Sequence, residues 1–170
     1  THYNSPAIEI AVAIFILLFG VNFNLYYFLA LKKFSLVFKN EELRTYLGII
    51  AAATIVIGVS ILGNYDSAGE AFRKSFFMVS STITSTGFAT ADTGEWGNFP
   101  QTLMLLLMFV GACAGSTGGG MKVSRILIIV KTGIRELKYI VSPRAVATVK
   151  LDGKPVEKDV IRGASNYFIL

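Results

Sequence analysis

Cysteine and histidine are almost missing from this chain. Cys113 is its one cysteine and His2 its one histidine. A lone thiol cannot staple the chain to itself, which excludes a disulfide framework. Among small apolar neighbours its expected role is inert packing. A single histidine with no ligand partner in view leaves no candidate resident metal site, and no cofactor is expected. The sequence also offers no acid–base pair and no nucleophile with a partner, so an enzyme ranks last among the function classes. Charge is locally absent too. Residues 7–31 hold one acid, Glu9, and no base, and residues 46–63 hold no charge at all. A helix of about 18–25 such residues rises roughly 27–37 Å, enough to cross a bilayer core. The first run lacks the basic lead-in and the small-residue cleavage site of a secretory signal.

What is present is apolar surface. Hydrophobic residues make up 53% of the 170 positions, above the roughly 45–50% usual for soluble domains. The net charge of +5 raises nucleic acid as a partner, but its distribution argues against that. Of the 16 bases, only Arg73 and Lys74 fall between Gly63 and Lys122. The others cluster between the first two apolar runs or after the last one. That is the asymmetry of the positive-inside rule, with the basic segments in the cytoplasm. Asp66, Glu70, Asp92 and Glu95 then lie on the opposite side.

The expected fold is an all-α membrane protein. Residues 1–33 form a first span, 34–45 a cytoplasmic loop, and 46–63 a second span returning outward. Ser67 with Glu70 reads as a capping box. It starts a helix over about 67–82 that is too short to span comfortably and reads as a half-helix entering the membrane. Asn98 and Pro100 are helix-start signals. The apolar helix they open is interrupted by glycines over about 111–121 and resumes toward Pro143, closing the unit 46–142. Residues 143–158 hold a hairpin turning at Asp152-Gly153, a favoured two-residue turn pair. Residues 159–170 begin another apolar run. Both ends of the chain read as cuts through something larger.

The stretch STITSTGFAT, residues 81–90, is the informative one. Six of its ten side chains carry hydroxyls, and apolar segments flank it. Non-helical backbone at membrane depth is tolerated only where protein buries it or where it lines a watery path. Carbonyls and threonine hydroxyls are hard, neutral donors suited to an alkali ion. Gly87 can take positive φ without a Cβ clash. The end of the short helix turns its negative dipole toward the same place, and no carboxylate in the stretch would hold a monovalent ion too tightly. Taken alone, the decapeptide also reads as a strand with one polar face, or as hydroxyls bonded to helix backbone. The flanking topology favours the ion pathway over both.

A span, a short helix, TSTGF and a return helix together resemble the repeating unit of the Trk/Ktr/HKT superfamily of potassium transporters. More specifically, ITSTGFATAD followed by FVGACAGSTGGGMKVSRILIIVKTGIRELKYIVSPRAV is similar to the third repeat of the bacterial TrkH-type membrane subunit. FGVNFNLYYFLALKKF is similar to the end of that family's second repeat. The resemblance covers nearly the whole chain. It implies one helix–pore-helix–filter–broken-helix unit of a pseudo-fourfold, potassium-channel-like pore. On that implication about 67–82 is the pore helix and about 83–90 the filter. Potassium, the transported ion, is held at Thr84, Ser85, Thr86 and Gly87, with Phe88 completing the strand. It further implies a multi-pass protein of the bacterial inner (plasma) membrane whose partners are the bilayer, other repeats of the same polypeptide, a second copy in a homodimer and a cytosolic nucleotide-binding regulatory subunit.

GACAGSTGGGMK nearly matches a phosphate-binding loop. However, Met121 separates Gly120 from Lys122, Val123 replaces the required hydroxyl residue, and no buried strand precedes it, so phosphate cradling is rejected. Gly111, Gly115 and Gly119 at four-residue spacing would suit close helix packing. Three adjacent glycines, each costing roughly 1 kcal/mol in a helix, argue instead for a break with local flexibility. The resemblance implies a gate beneath the filter, made of Gly111, Ala114, Gly115, Ser116, Thr117, Gly118, Gly119 and Gly120. Lys131, Arg135 and Lys138 form a basic stripe. The stripe suits anionic headgroups, with Tyr139 as interface anchor, and the resemblance adds docking of the regulatory subunit there and at the hairpin. Asp66, Asp92 and Glu95 either concentrate cations at the outer mouth or simply cap and solvate. The competing function is a non-conducting assembly module whose small and hydroxyl residues only pack helices.

Overall fold

The computed structural model describes residues 5–141 and 148–169. His2, Pro143 and Arg144 lie outside them, as do parts of the segments expected over 143–158 and 159–170. The chain begins with α1 (Pro6–Phe19) and α2 (Phe23–Ala30), then α3 (Phe34–Lys39) and α4 (Glu41–Ser60). A turn of 3-10 helix at Leu62–Asn64 leads to α5 (Ala68–Ile83), and another at Thr93–Trp96 leads to α6 (Asn98–Val110). After α7 (Val123–Val141) come the short strands β1 (Lys150–Leu151) and β2 (Lys154–Pro155), then α8 (Lys158–Ile169). The strands pair antiparallel, Lys150 opposite Pro155. Asp152 and Gly153 turn between them at φ +51° and +76°, the left-handed pair that a tight hairpin requires.

The first apolar run is not one straight span. It bends by 93° between α1 and α2, and the Asn22 side chain caps α2 by accepting from the Asn24 amide at 2.9 Å. α4 is long and apolar enough to cross a membrane, and α1 with α2 counts as a second such crossing if taken as one bent span. α4 also starts earlier than the loop reading of 34–45 allows. Asn40 caps it by accepting from the Leu43 amide at 2.8 Å, which draws Glu41, Glu42 and Arg44 into the helix. At α5 the capping box does not form: Ser67 makes no side-chain cap bond. Glu70 faces Arg73 instead, 3.4 Å away, as an i,i+3 pair.

The short helix α5 is the centre of the molecule. It packs against α4, α1 and α6, and Phe77, Met78, Val79, Ser80, Ser81 and Ile83 are all buried. The helices around it expose large apolar side chains, among them Phe15, Ile55, Val59, Leu105 and Phe109. A helix buried all round, inside helices that are greasy outside, is the layering of a bilayer-embedded bundle. Two of its buried hydroxyls are satisfied inward, while Ser81 Oγ is buried without a partner among the described residues. Ser75 Oγ donates across to the Thr54 carbonyl on α4 at 2.9 Å, and Ser80 Oγ donates to the Phe76 carbonyl at 2.6 Å. The first of these joins two helices where hydrophobicity gives no net attraction, and the second lies within α5.

Residues 111–122 carry no helix between α6 and α7, so Gly111, Gly115 and Gly119 do not share a helix face. Gly111 sits at φ +74°, and a Cβ there would lie 2.5 Å from the Gly119 carbonyl oxygen and 2.7 Å from the Gly120 Cα. Backbone cannot move aside as a side-chain end can. G111A is therefore expected to cost at least 2 kcal/mol, as roughly 1–2 kcal/mol for the left-handed backbone and about 1–3 kcal/mol for overpacking. G133A, in α7 with nothing within 4 Å of its Cβ, should be neutral or gain up to about 1 kcal/mol. Thermal unfolding of the detergent-purified protein checks the pair: a drop of several degrees for G111A and none for G133A.

Candidate functional site

The site begins where α5 ends. Thr84 caps the helix, and Ser85 follows at φ +57°. The Ser85 amide reaches back to the Thr82 carbonyl at 3.0 Å, and the Thr86 amide to the Ser81 carbonyl at 2.9 Å. This is the paired bond of a Schellman ending, which normally places glycine in the left-handed position. Here serine occupies it, a conformation uncommon for a residue with a Cβ. Gly87 then sits at φ +81° with nothing within 4 Å of where a Cβ would be. Residues 85–89 are exposed although the helix end beneath them is buried. A stretch of exposed main chain thus stands on a rigid base, and Phe88 projects beside it, 60% exposed.

Thr84 differs from its neighbours. Its Oγ1 donates to the Ser80 carbonyl at 2.7 Å and lies 2.7 Å from Thr86 Oγ1. Its carbonyl accepts from the Gly119 amide at 3.1 Å. One lone pair of that oxygen is therefore occupied by protein, whereas the main chain at 85–89 lies open. The glycine-rich break lies directly against the stretch: a Cβ on Gly119 would come within 2.9 Å of the Ser85 side chain. The two segments and one exposed face of α1 border an open hollow of about 490 Å³, lined by Phe15, Phe19, Ser85, Thr86, Thr117 and Gly118 among others.

The break is held, not slack. The Cys113 amide donates to the Gly20 carbonyl at 3.0 Å, and the Phe23 amide donates to the Gly115 carbonyl at 3.1 Å. Thr117 reaches the Phe19 carbonyl through both its amide, at 3.4 Å, and its hydroxyl, at 3.2 Å. Lys122 Nζ donates to the Gly118 carbonyl. Glu42, buried at 5% exposure, accepts from the Ala114 amide at 2.6 Å and from the Ser124 amide at 3.1 Å. One carboxylate oxygen thereby ties the start of the break to the first turn of α7, where negative charge is favoured. Bonds therefore hold the break at Cys113, Ala114, Gly115, Thr117, Gly118 and Gly119. The glycines serve close approach, since Gly111 and Gly120 stack main chain on main chain.

A further group of charges had no assigned role in the sequence. Glu9 on α1, 5% exposed, pairs with Arg73 Nε at 2.9 Å and with Lys74 Nζ at 2.8 Å. Lys74 also donates to the Thr90 carbonyl at 3.1 Å. The signal was available: an acid alone in an apolar run needs a partner, and Arg73 and Lys74 are the bases outside the basic clusters. Glu42 had no such signal, because it follows Glu41 in what reads as a solvated loop.

On the basic side, Lys131 is already engaged, pairing with Glu41 and donating to the Lys150 carbonyl at 2.8 Å. Arg135 pairs with its neighbour Glu136 at 2.6 Å. These two and Lys138 line a hollow of about 200 Å³ against residues 148–150. Asp152 at the hairpin tip is exposed yet bonded: it accepts from the Glu41 amide at 2.7 Å and from Asn40 Nδ2 at 2.8 Å. Of the outer acids, Asp92 accepts from the Gly94 amide at 2.8 Å and so caps the turn there.

Comparison with known proteins converges on one group. A family model described as "Cation transport protein", TrkH, matches residues 1–169. The Trk system potassium uptake protein TrkH of Salmonella typhimurium is 35% identical over 172 residues, covering 98% of this chain and 35% of that one. The Trk system potassium uptake protein TrkG of Escherichia coli is also 35% identical, covering 99% and 35%. The crystal structure of the potassium transporter TrkH from Vibrio parahaemolyticus superposes with a TM-score of 0.89 at 35% identity, over 98% of this chain and 37% of that one. The chain thus spans about a third of the length of these relatives. With a family model matching almost end to end and an architecture shared at that level, this chain belongs to the TrkH family of cation transport proteins.

Proposed function

We propose that this chain supplies one of the four filter strands and the gating loop of a pore that takes potassium up across the bacterial plasma membrane. The observation that carries the reading is the placement of residues 85–89. They form exposed, non-helical main chain at the end of a buried half-helix, facing an open hollow whose far wall is the glycine-rich break. Within a bilayer such backbone needs a watery path, and its oxygens suit an ion shedding its hydration shell. Ser85, Thr86 and Gly87 carry most of the coordination. The inner oxygen of Thr84 is shared with the Gly119 amide, and Phe88 flanks the strand. Relatives named as potassium uptake proteins support the same ion.

The break, with Gly111, Ala114, Gly115, Ser116, Thr117, Gly118, Gly119 and Gly120, acts as the gate because it bonds to the filter strand itself. The remaining repeats come from the same polypeptide, which assembles as a homodimer. A cytosolic nucleotide-binding subunit docks on the basic side. Lys138 is the better candidate for that contact, since Lys131 is occupied by Glu41 and the Lys150 carbonyl and Arg135 by Glu136.

The filter is tested in full-length transporter expressed in cells unable to take up potassium. A side chain at the backbone angle of Gly87, φ +81°, costs about 1–2 kcal/mol. Strain of that kind displaces the neighbouring carbonyls, and G87S is expected to reduce potassium-over-sodium preference about tenfold, equivalent to about 1.4 kcal/mol of discrimination between the ions, in protein that reaches the membrane. A packing module would instead lose abundance while the survivors kept their preference. For the gate, deleting 114–119 should raise the maximal uptake rate, and an unchanged or lower rate in well-expressed protein would contradict it. E42A, which leaves the Ala114 and Ser124 amides without their acceptor at about 1–3 kcal/mol each, should also raise uptake. It should speed alkylation of the buried Cys113 thiol, followed by peptide mass spectrometry.

A further inference from the structure

We infer that Lys74 is a positioning residue of the filter: held by Glu9 from the neighbouring unit, it clamps the outer end of the filter strand through the Thr90 carbonyl. The inference rests on the filter reading of residues 83–90. Lys74 lies in the second turn of α5, and its ammonium bridges to Thr90, sixteen residues on. The bond closes α5 and the strand that follows it into a ring. It leaves the strand tied at the inner end by the Gly119 amide on the Thr84 carbonyl and at the outer end by Lys74 on the Thr90 carbonyl. The open main chain of 85–89 lies between those two ties.

Glu9 sets where that ammonium sits. Its two oxygens take different cations, Oε1 the Lys74 ammonium at 2.8 Å and Oε2 the Arg73 guanidinium at 2.9 Å. The Glu9, Lys74 and Arg73 side chains are 6%, 14% and 22% exposed. Charges withdrawn from water this far persist only when paired. An unpaired ammonium in this place would be drawn outward to water or would repel the ion it guards. Glu70, 3.4 Å from Arg73, balances the second base, so the group is neutral in sum. Arg73 shares Glu9 with Lys74 but has no bond to the strand among those described. The two bases therefore separate a packing role from a positioning role.

The consequence is for ion preference. A strand fixed at both ends resists closing around a smaller ion, while a strand free at its outer end adapts to sodium. The test measures rubidium uptake against sodium competition in cells expressing the full-length transporter, normalised to membrane abundance. K74M is expected to lower potassium-over-sodium preference about tenfold, whereas R73Q lowers abundance and leaves the preference of the remaining protein near the parent value. An unchanged preference in K74M, or an equal fall in R73Q, overturns the inference. If K74M does not reach the membrane, the near-isosteric E9Q takes its place. Its ammonium loses its counter-charge, so preference should fall, and an unchanged preference overturns the inference. G87S run alongside separates the two levels: if it leaves preference intact, the filter reading fails and the clamp with it; if it lowers preference and K74M does not, only the clamp fails.

Discussion

Hydrocarbon offers no hydrogen bonds, so each interrupted helix in a bilayer leaves amides and carbonyls that only protein or a watery cavity can satisfy, at several kcal/mol apiece. Among the described residues, such interruptions fall at 20–22, at 84–90 and at 111–122. They are far apart in sequence and bonded to one another in space. The Gly20 carbonyl takes the Cys113 amide, the Gly115 carbonyl takes the Phe23 amide, and the Thr84 carbonyl takes the Gly119 amide. The 93° bend between α1 and α2 follows from this. With no proline at the bend, the chain turns because its freed groups find partners on the glycine-rich break. Small residues at the contacts are a steric requirement of the same arrangement. A Cβ on Gly20 would fall on Tyr46 Oη, and one on Gly118 within 2.5 Å of Ala112 Cβ.

From that constraint the layering follows. α5 carries more hydroxyls than lipid would tolerate, yet Ser75, Ser80 and Thr84 each donate to a carbonyl inside the bundle. The helix can therefore be polar and buried at once, which a half-helix beneath an ion path needs and a lipid-facing helix does not. The charged residues obey the same rule. Glu9 is matched by two bases on the outer side, and Glu42 by two main-chain amides on the inner side. Both carboxylates hold irregular main chain, directly for Glu42 and through Lys74 for Glu9.

The sequence made the architecture legible where the signal was periodic or compositional. Charge-free runs marked the greasy helices, Asn98 and Pro100 opened α6, and Asp152-Gly153 turned the hairpin. The hydroxyl-rich decapeptide stood out because its composition was wrong for its surroundings. Two kinds of feature were hidden. One was the bend at 20–22, where a continuous apolar run masks both the local Asn22 cap and the long-range bonds that Gly20 and Phe23 make to Cys113 and Gly115. The other was anything whose meaning lies in a long-range contact: Glu42 reads as a loop acid until the Ala114 and Ser124 amides are beside it. The Ser67–Glu70 pattern was a local motif that did not form: Glu70 faces Arg73 one turn further on.

Three consecutive residues at the start of α4 bring the hairpin, α7 and the break together. Asn40 Nδ2 and the Glu41 amide bond to Asp152 at the hairpin tip, the Glu41 carboxylate pairs with Lys131 on α7, and the Glu42 carboxylate holds Ala114 and Ser124. A rigid helix start cannot move one of these attachments without disturbing the others. On the gating reading, a partner that draws α7 or the hairpin away from α4 also loads the carboxylate that fixes the break. The exposed members of this set are individually weak, as a surface ion pair contributes about 0–1 kcal/mol. The buried Glu42 contacts are stronger, because charge-assisted bonds to amides contribute roughly 1.5–3 kcal/mol. A weak exposed latch in series with a firm buried one yields first at the hairpin and α7. That is the order required if a partner docked there is to act on a break that it does not touch.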